Sequence, residues 1–294
     1  MKLFWKKRGK WVLSFAFFIS LLFIMDSCFQ FRMSKKEIGR YFEKKVWKGT
    51  LQSYIIHQQK INYLTVGDDQ SPLVVFVHGS PGSLSAFIDF MADTSLLEKA
   101  QLISVDRPGF GESNFGYAQK SVKKQAAVLK PILEKHKAHR PIILVGHSLG
   151  GPVIARMAMD YPGLVDGLVI VAGSIDPDLE PHEWFRAPLA TPFLKWIMPR
   201  SFRSSNDEIY HLKPELQDML PLWKNITAHT IVIQGKKDEL VDPQNAAFAK
   251  RMIINAPVEL VEIEEMNHFV PWSNPELIRQ AILKLIDELK TNPR

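Results

Sequence analysis

The sequence predicts an α/β fold, in which a mostly parallel eight-stranded sheet carries helices on both faces. Two observations favour this fold. Short apolar runs of strand length alternate with segments of helical periodicity, and clusters rich in glycine, proline or aspartate separate them. In addition, the 294 residues are 46% apolar, which is enough to bury a large core within one domain.

The strands are predicted in chain order from these apolar runs. The first two form an antiparallel pair, and a turn cluster at 67–72 separates them from the rest. The eight predicted strands are 53–57, 61–66, 73–78, 101–105, 141–146, 166–171, 230–235 and 258–263. The predicted helices are about 83–92, 119–137, 149–161 and 275–289. Because helices alternate with the later strands, we expect those strands to be parallel and covered on both faces.

A serine lies between a predicted strand and a predicted helix, in the sequence Gly146-His147-Ser148-Leu149-Gly150. In this context a Gly-x-Ser-x-Gly segment is typical of a sharp turn that exposes the serine hydroxyl, since glycines leave room for the crossing backbone. The serine then lies at a helix N-terminus, where backbone N–H groups favour developing negative charge. Ser148 is therefore the candidate nucleophile, although a glycine-rich structural turn would share this sequence.

A nucleophilic serine needs a base, and the base needs a carboxylate that orients it. Asp238 and His268 are the candidates, because each follows the end of a predicted strand, where open α/β sheets place their sites. Two other acids remain open as the carboxylate. Asp176 follows the sixth predicted strand, whereas Asp242 precedes a helical segment and could instead cap it.

Acyl transfer also needs hydrogen-bond donors for the oxyanion of its tetrahedral intermediate. The N–H of Leu149 can supply one donor, because this residue directly follows the nucleophile. The loop 78–82 follows an apolar strand and has the sequence HGSPG. Its Ser80 N–H is the candidate for the second donor, since Pro81 has no N–H to offer.

Five motifs follow one another between about residues 50 and 290. They are HGSPG at 78–82, DRPGFGES at 106–113, GHSLGG at 146–151, GKKD at 235–238 and NHF at 267–269. In this order they resemble the α/β-hydrolase fold superfamily, of the esterase and lipase type. The resemblance implies that fold, a catalytic triad of Ser148, Asp238 and His268, and an oxyanion hole formed by Ser80 and Leu149. It implies neither a cofactor nor a metal.

The resemblance also gives a meaning to the proline-rich stretch 174–226. In this fold an insertion at that position forms a helical cap over the active site, between core segments 50–173 and 227–294. A cap excludes water and shapes the substrate pocket. Its candidates for substrate contact are Trp184, Phe185, Trp196 and Met198.

Several activities of the family remain open. A serine at the nucleophile position predicts a hydrolase of a small-molecule ester or thioester, and it argues against dehalogenases and epoxide hydrolases, which use aspartate there. A C–C bond hydrolase and a prolyl aminopeptidase-like enzyme are alternatives. The latter would need acidic cap residues to hold an amine, for which Glu180, Glu183, Asp207 and Glu208 are available. A non-catalytic scaffold is the alternative from another class.

The first 28 residues are predicted to associate with a membrane. The apolar run 11–25 is 15 residues long and follows five cations, at positions 2, 6, 7, 8 and 10. A spanning helix usually needs about 20 apolar residues, so the length suits a signal segment or a short anchor. An uncleaved anchor is the main hypothesis. Lipidation of Cys28, the only cysteine, and a helix buried against the domain are the alternatives.

Charge is distributed unevenly along the chain. Residues 1–48 contain 12 Lys and Arg against 3 Asp and Glu, whereas the remainder contains 25 against 28. The folded domain is therefore slightly acidic, which argues against a nucleic-acid partner. Residues 29–49 are predicted to be a basic linker that is partly helical and lies near the membrane surface. The cations that precede the apolar run predict a cytoplasmic amino end and an extracytoplasmic catalytic domain.

Overall fold

A computed structural model of the chain describes residues 2–136 and 140–291, with side chains for residue 14 and from residue 16 onward. Eight strands in these residues form one sheet. They are β1 (Thr50–Ile56), β2 (Gln59–Val66), β3 (Leu73–Val77), β4 (Gln101–Val105), β5 (Ile142–His147), β6 (Gly167–Val171), β7 (His229–Gly235) and β8 (Val258–Ile263).

The sheet has the strand order β1-β2-β4-β3-β5-β6-β7-β8. The pairs β1–β2 and β2–β4 are antiparallel, and every other neighbouring pair is parallel. The predicted mostly parallel eight-stranded sheet is therefore confirmed. The carboxyl ends of β3, β5, β7 and β8 lead into the loops that carry the candidate site residues.

Twelve α-helices are described. They are α1 (Lys2–Cys28), α2 (Lys35–Glu43), α3 (Thr94–Leu97), α4 (Val122–His136), α5 (Gly150–Asp160), α6 (Arg186–Leu189), α7 (Pro192–Ile197), α8 (Arg200–Tyr210), α9 (Leu212–Met219), α10 (Asn245–Met252), α11 (Val270–Ser273) and α12 (Pro275–Thr291). Helices α6 to α9 lie between β6 and β7, at the position predicted for the cap. They are short, as expected from the prolines that interrupt this stretch.

One predicted helix takes another form. Residues 83–92 contain two 3₁₀ helices, Leu84–Phe87 and Phe90–Ala92, rather than one α-helix. The buried residues Leu84, Phe87 and Phe90 recur at every third position. This spacing suits a 3₁₀ helix, in which side chains three residues apart lie directly above one another. A further 3₁₀ helix, Leu220–Asn225, precedes β7.

Helices cover both faces of the sheet. Along β3, Val75 and Val77 belong to one apolar cluster, and Val74 and Phe76 belong to another. Because successive side chains of a strand point to opposite faces, the two clusters are the two layers of the core. Helices α4 and α5 contribute to the first layer, whereas α2 and α12 contribute to the second.

The predicted basic linker packs on the body of the protein. Helix α2 begins after Ser34, whose side chain accepts from the Glu37 N–H while the Glu37 carboxylate accepts from the Ser34 N–H. Its Ile38 and Phe42 are buried in the second apolar layer. Ile38 and Phe42 are four residues apart, so they lie on one face of the helix. Through this face the segment 29–49 packs on the body of the protein.

Residues 1–28, predicted to be an anchor, include helix α1. The five cations and part of the apolar run lie outside the described side chains. In the portion of the chain whose side chains are described, no helix combines the length and hydropathy needed to cross a membrane. Membrane anchoring remains a prediction.

Candidate active site

Ser148 lies on a sharp turn between β5 and α5. Its φ of 53° falls in the left-handed region, which is unfavourable for a residue with a side chain and is often found at functional sites. The Ser148 N–H donates to the Val171 carbonyl oxygen at 2.9 Å, which ties the turn to β6. A Cβ on Gly150 would lie 2.2 Å from the Val77 carbonyl oxygen, so only glycine lets α5 begin so close to β3. The serine thus lies at a helix N-terminus.

His268 and Asp238 form a hydrogen-bonded pair at the ends of β8 and β7. The His268 Nδ1 lies 2.8 Å from Asp238 Oδ2. The other carboxylate oxygen accepts from the N–H groups of Leu240 and Val241, at 2.9 and 2.8 Å. Burial raises the pKa of Asp238, but His268 and these N–H donors outweigh it and leave that pKa below its usual value. The aspartate is therefore held ionised and can stabilise a protonated histidine.

The two rival acids lie elsewhere. The Asp176 carboxylate lies 3.8 Å from Arg251 Nη2 and accepts from the Asp178 N–H. The Asp242 carboxylate accepts from the Gln244 N–H, which makes it part of the turn before α10. Within the described residues, His268 pairs with Asp238 rather than with either of them.

His147 lies beside this pair. Its Nε2 is 3.0 Å from the His268 carbonyl oxygen, and the two imidazole rings are 4.8 Å apart. Burial, together with the neighbouring His268, lowers the pKa of His147 to about 3. A neutral His147 donates from Nε2 to that carbonyl and so holds the histidine loop against the turn that carries Ser148.

The candidate oxyanion donors face the same region. No hydrogen bond donated by the N–H of Ser80 or Leu149 is found in residues 2–136 and 140–291. Gly79 brings the loop 78–82 against the nucleophile, since a Cβ there would lie 2.9 Å from Ser148 Cβ. Among the described residues both N–H groups thus lack an acceptor, and both residues line the cavity of Ser148, so they remain the candidate oxyanion donors.

A buried arginine, Arg107, stabilises the loop 78–82 by hydrogen bonds to two of its carbonyl groups. Arg107 donates from Nε to the His78 carbonyl oxygen at 2.8 Å and from Nη2 to the Gly79 carbonyl oxygen at 2.9 Å. Its guanidinium also makes two bonds to Glu208 of α8, at 2.6 and 2.8 Å. Arg107 belongs to the motif DRPGFGES at 106–113. Glu208 lies 101 residues away, and no local pattern pairs the two residues.

Four of the five predicted catalytic and oxyanion residues meet at one cavity of about 630 Å³. Its core wall includes Ser80, Ser148, Leu149 and His268. Asp238 lies behind His268. No hydrogen bond joins Ser148 to His268 in the described residues, and such bonds often form only when substrate is bound. The arrangement can supply a nucleophile, a base with its carboxylate, and oxyanion donors.

Two of the four cap residues predicted to contact substrate line the cavity, and two do not. Phe185 and Met198 line the cavity. Trp184 and Trp196 do not, since both lie on the outer surface of the cap, with 77% and 56% of their area exposed. Trp196 lies in the short helix α7 and Trp184 in the turn before α6, and neither segment has an apolar periodicity long enough to predict which way its side chain faces. Cap residues that line the cavity but were not predicted as contacts include Leu189, Phe202, Asn206 and Ile209.

Charged groups also line the cap side of the cavity. Glu180 bonds to the Ser174 hydroxyl, and burial raises the pKa of its carboxyl. Glu183 pairs with Arg186. The other two acids proposed for an amine site lie away from the cavity, because Asp207 pairs with Lys195 and Glu208 pairs with Arg107.

Known proteins resemble this chain over most of its length. Residues 72–204 match the family described as alpha/beta hydrolase fold. Proline iminopeptidase PfmaB of Pestalotiopsis fici is 23% identical over 77% of this chain and 96% of its own. The pimeloyl-(acyl-carrier protein) methyl ester esterase of Proteus mirabilis is 31% identical over 52% of each chain. The crystal structure of a membrane phospholipase A has a TM-score of 0.63 at 18% identity, over 99% of both chains, and is similar in fold.

Proposed function

Because this chain belongs to the α/β-hydrolase fold superfamily, we propose that it is a serine hydrolase that cleaves a carboxylic ester or thioester through an acyl-enzyme. The observation that carries the proposal is that His268, hydrogen-bonded to Asp238 behind it, lines the same cavity as Ser148. These three residue types, on separate loops at one edge of a sheet, are the requirement for nucleophilic catalysis by serine. A methyl ester esterase among the relatives supports the choice of reaction.

The mechanism follows from the positions of these groups. Ser148 attacks the acyl carbonyl carbon while His268 accepts the hydroxyl proton, and Asp238 stabilises the resulting imidazolium. The carbonyl oxygen becomes an oxyanion that accepts from the N–H groups of Ser80 and Leu149. His268 then donates its proton to the leaving alkoxide or thiolate. Water attacks the acyl-enzyme with His268 as base, which releases the acid and restores Ser148.

The cavity favours an acyl group that is largely apolar. Its wall includes Leu149, Phe185, Leu189, Met198 and Phe202, and its volume of about 630 Å³ is that of a small-molecule site. Apolar lining stabilises an acyl chain by removing its surface from water, at about 25 cal/mol per Å². We therefore propose an ester or thioester of a short or medium acyl chain as substrate.

An aminopeptidase is the second candidate, because Glu180 and Glu183 line the cavity and a proline iminopeptidase is among the relatives. Two contacts weigh against it. Arg186 neutralises Glu183, and the raised pKa of Glu180 reduces the negative charge that an ammonium would need. A C–C bond hydrolase with an anionic substrate would need a free cation in the cavity. Among the described residues Arg186 is the one lysine or arginine that lines the cavity, and it is already paired with Glu183. An intact set of catalytic groups disfavours a silent scaffold.

The test combines a covalent probe with substrates. A fluorophosphonate should label the wild-type chain, and Ser148→Ala should abolish the label. Ser174→Ala is the matched control, because this serine lines the same cavity and should leave labelling intact. On p-nitrophenyl esters of increasing chain length, Ser148→Ala should lower kcat by about three orders of magnitude or more while the fold is retained.

The outcomes separate the candidates. Turnover of aminoacyl amides but not of esters would favour the aminopeptidase. Ser148→Ala retaining more than about a tenth of wild-type turnover would remove the proposed nucleophile, since a true nucleophile contributes far more than tenfold. A wild-type chain that no fluorophosphonate labels would favour the scaffold.

We also propose that residues 1–28 hold the protein at a membrane, through helix α1 or through lipidation of Cys28, with the hydrolase domain extracytoplasmic. The apolar run and its preceding cations support this proposal. Cys28 is exposed, so it is accessible to modification.

A further inference from the structure

The oxyanion donor of Ser80 belongs to a peptide group whose carbonyl is held on the opposite side. The N–H of Ser80 and the C=O of Gly79 are parts of one planar amide. The peptide bond between them is trans, so the two bonds point in opposite directions. Any group that fixes the Gly79 oxygen therefore also fixes the direction of the Ser80 N–H.

Two side chains fix that oxygen. Arg107 Nη2 donates to it at 2.9 Å, and His78 Nδ1 lies 2.7 Å from it. His78 Nε2 accepts from the Arg107 backbone N–H at 3.0 Å, so the ring proton is on Nδ1 and this nitrogen donates. Burial and the Arg107 charge keep the pKa of His78 well below its usual value, which maintains this neutral tautomer. Donation to the carbonyl also polarises the amide and strengthens its N–H as a donor.

Arg107 itself is held by the cap. Glu208 accepts from both terminal guanidinium nitrogens, and the two side chains are 0% and 1% exposed. Gln125 of α4 bonds to both members of the pair, at 3.0 Å to Arg107 and 3.2 Å to Glu208. Glu208 belongs to helix α8, and other residues of α8, among them Phe202 and Ile209, line the substrate cavity. Helix α8 thus contacts the cavity with one set of side chains and the support of the oxyanion loop with another.

We propose that Glu208 is a positioning residue for the reaction: through Arg107 it aligns the Gly79–Ser80 peptide, so that the oxyanion hole is complete only while the cap is docked. This inference rests on the proposed function. Glu208 touches neither the substrate cavity nor Ser148. Its effect passes through Arg107 and then through the Gly79 carbonyl to which Arg107 donates. A buried ion pair is by itself weak evidence for stability, because apolar residues of similar volume often stabilise a fold equally well.

The test compares two acids that are neighbours on α8. Glu208→Gln removes the charge that holds Arg107. Asp207→Asn is the matched control, since Asp207 is also buried but pairs with Lys195 of α7. In the full-length chain, kcat and KM for an ester, the affinity for a boronic acid, and the rate of fluorophosphonate labelling are measured, with the midpoint of urea unfolding as the control for stability.

We expect Glu208→Gln to lower kcat by about 10- to 100-fold, within the range for loss of an oxyanion donor. KM should stay within about twofold, because the oxyanion contact is made in the transition state. The boronic acid, which forms a tetrahedral adduct, should lose affinity by a similar factor. Asp207→Asn should keep wild-type values. Arg107→Lys should repeat the loss, because one ammonium cannot hold both Glu208 and the loop carbonyls.

The outcomes distinguish this inference from the proposed function. If the fluorophosphonate labels wild-type Ser148 but labels Glu208→Gln and Asp207→Asn at equal rates, only the inference is wrong. A rise in KM with unchanged kcat would also overturn it. If wild-type Ser148 is not labelled at all, the proposed function fails and the inference fails with it. Should Glu208→Gln unfold, the folded Arg107→Lys variant decides: a wild-type kcat there would contradict the positioning role.

Discussion

The buried carboxylate of Asp238 keeps its negative charge because hydrogen-bond donors surround it. Its carboxylate accepts from His268, from Gln234 and from two backbone N–H groups. The bonds from His268 and the two N–H groups offset the burial that would otherwise raise the pKa of Asp238. Such a carboxylate sets the tautomer of its histidine and orients the ring.

This environment leads to a prediction that compares two acids. Asp238→Asn should lower kcat by about 10⁴-fold, because an amide leaves the imidazolium uncompensated and favours the wrong tautomer. Asp176→Asn is the control, and it should leave kcat near wild type, since Asp176 faces Arg251. Steady-state kinetics on one ester decides between them. A severe loss in Asp176→Asn with a mild one in Asp238→Asn would identify Asp176 as the acid.

The candidate site could be predicted from the sequence where its residues stand in local motifs. Ser148, Asp238 and His268 each follow the end of a strand, and the strand order places those ends together. The pair of residues that supports the loop 78–82 could not be predicted from the sequence. Arg107 lies in a motif, but its partner Glu208 lies in the cap. A contact between residues 101 positions apart produces no periodic pattern in the sequence.

At the level of elements, the crossing of β5, α5 and β3 places the nucleophile. Helix α5 begins two residues after Ser148, with Gly150 packed against the backbone of β3. The strand predictions agree closely with the structure, because a parallel strand buried on both faces is a continuous apolar run. The segment predicted as one helix at 83–92 forms two 3₁₀ helices, and its buried residues recur at every third position, which suits that form.

The close approach of α5 to β3 predicts the effect of adding one methyl group. Gly150→Ala should destabilise the fold by about 2 kcal/mol or more, because its Cβ would lie 2.2 Å from the Val77 carbonyl oxygen and backbone would have to move. Gly163→Ala is the control, since a Cβ there meets nothing within 4 Å. Urea unfolding measures both. Equal midpoints for the two variants would show that the turn tolerates the larger residue.

At the scale of the whole molecule, the end of helix α1 contacts the cap. Asp26 pairs with Arg200 of α8 at 2.6 Å, and the Ser201 hydroxyl donates to the Phe29 carbonyl oxygen. The rings of Phe29 and Phe202 are 5.4 Å apart, and Phe202 also lines the substrate cavity. A membrane attached through residues 1–28 would therefore lie on the cap side of the hydrolase.

This placement makes membrane association worth testing on the full-length chain. We expect the protein to sediment with membranes and to be released by detergent but not by alkaline carbonate, because roughly 15 apolar residues remain to be buried. Cys28→Ser should leave this behaviour unchanged if α1 is the anchor. Palmitate labelling that is lost in Cys28→Ser would instead favour lipidation. Recovery of the full-length chain wholly in the supernatant would contradict both.

The buried pair between the cap and the loop 78–82 also limits how this protein can be re-engineered. One route to a new specificity would be to graft the cap of another protein of this fold onto this core. Here the core contributes a guanidinium with no exposed area, and the cap contributes its counter-charge. A chimera whose donor cap lacks an acid at the place of Glu208 would enclose an uncompensated cation, at a cost of about 3–5 kcal/mol. Cap exchange must therefore carry over this acid before any residue of the pocket is redesigned.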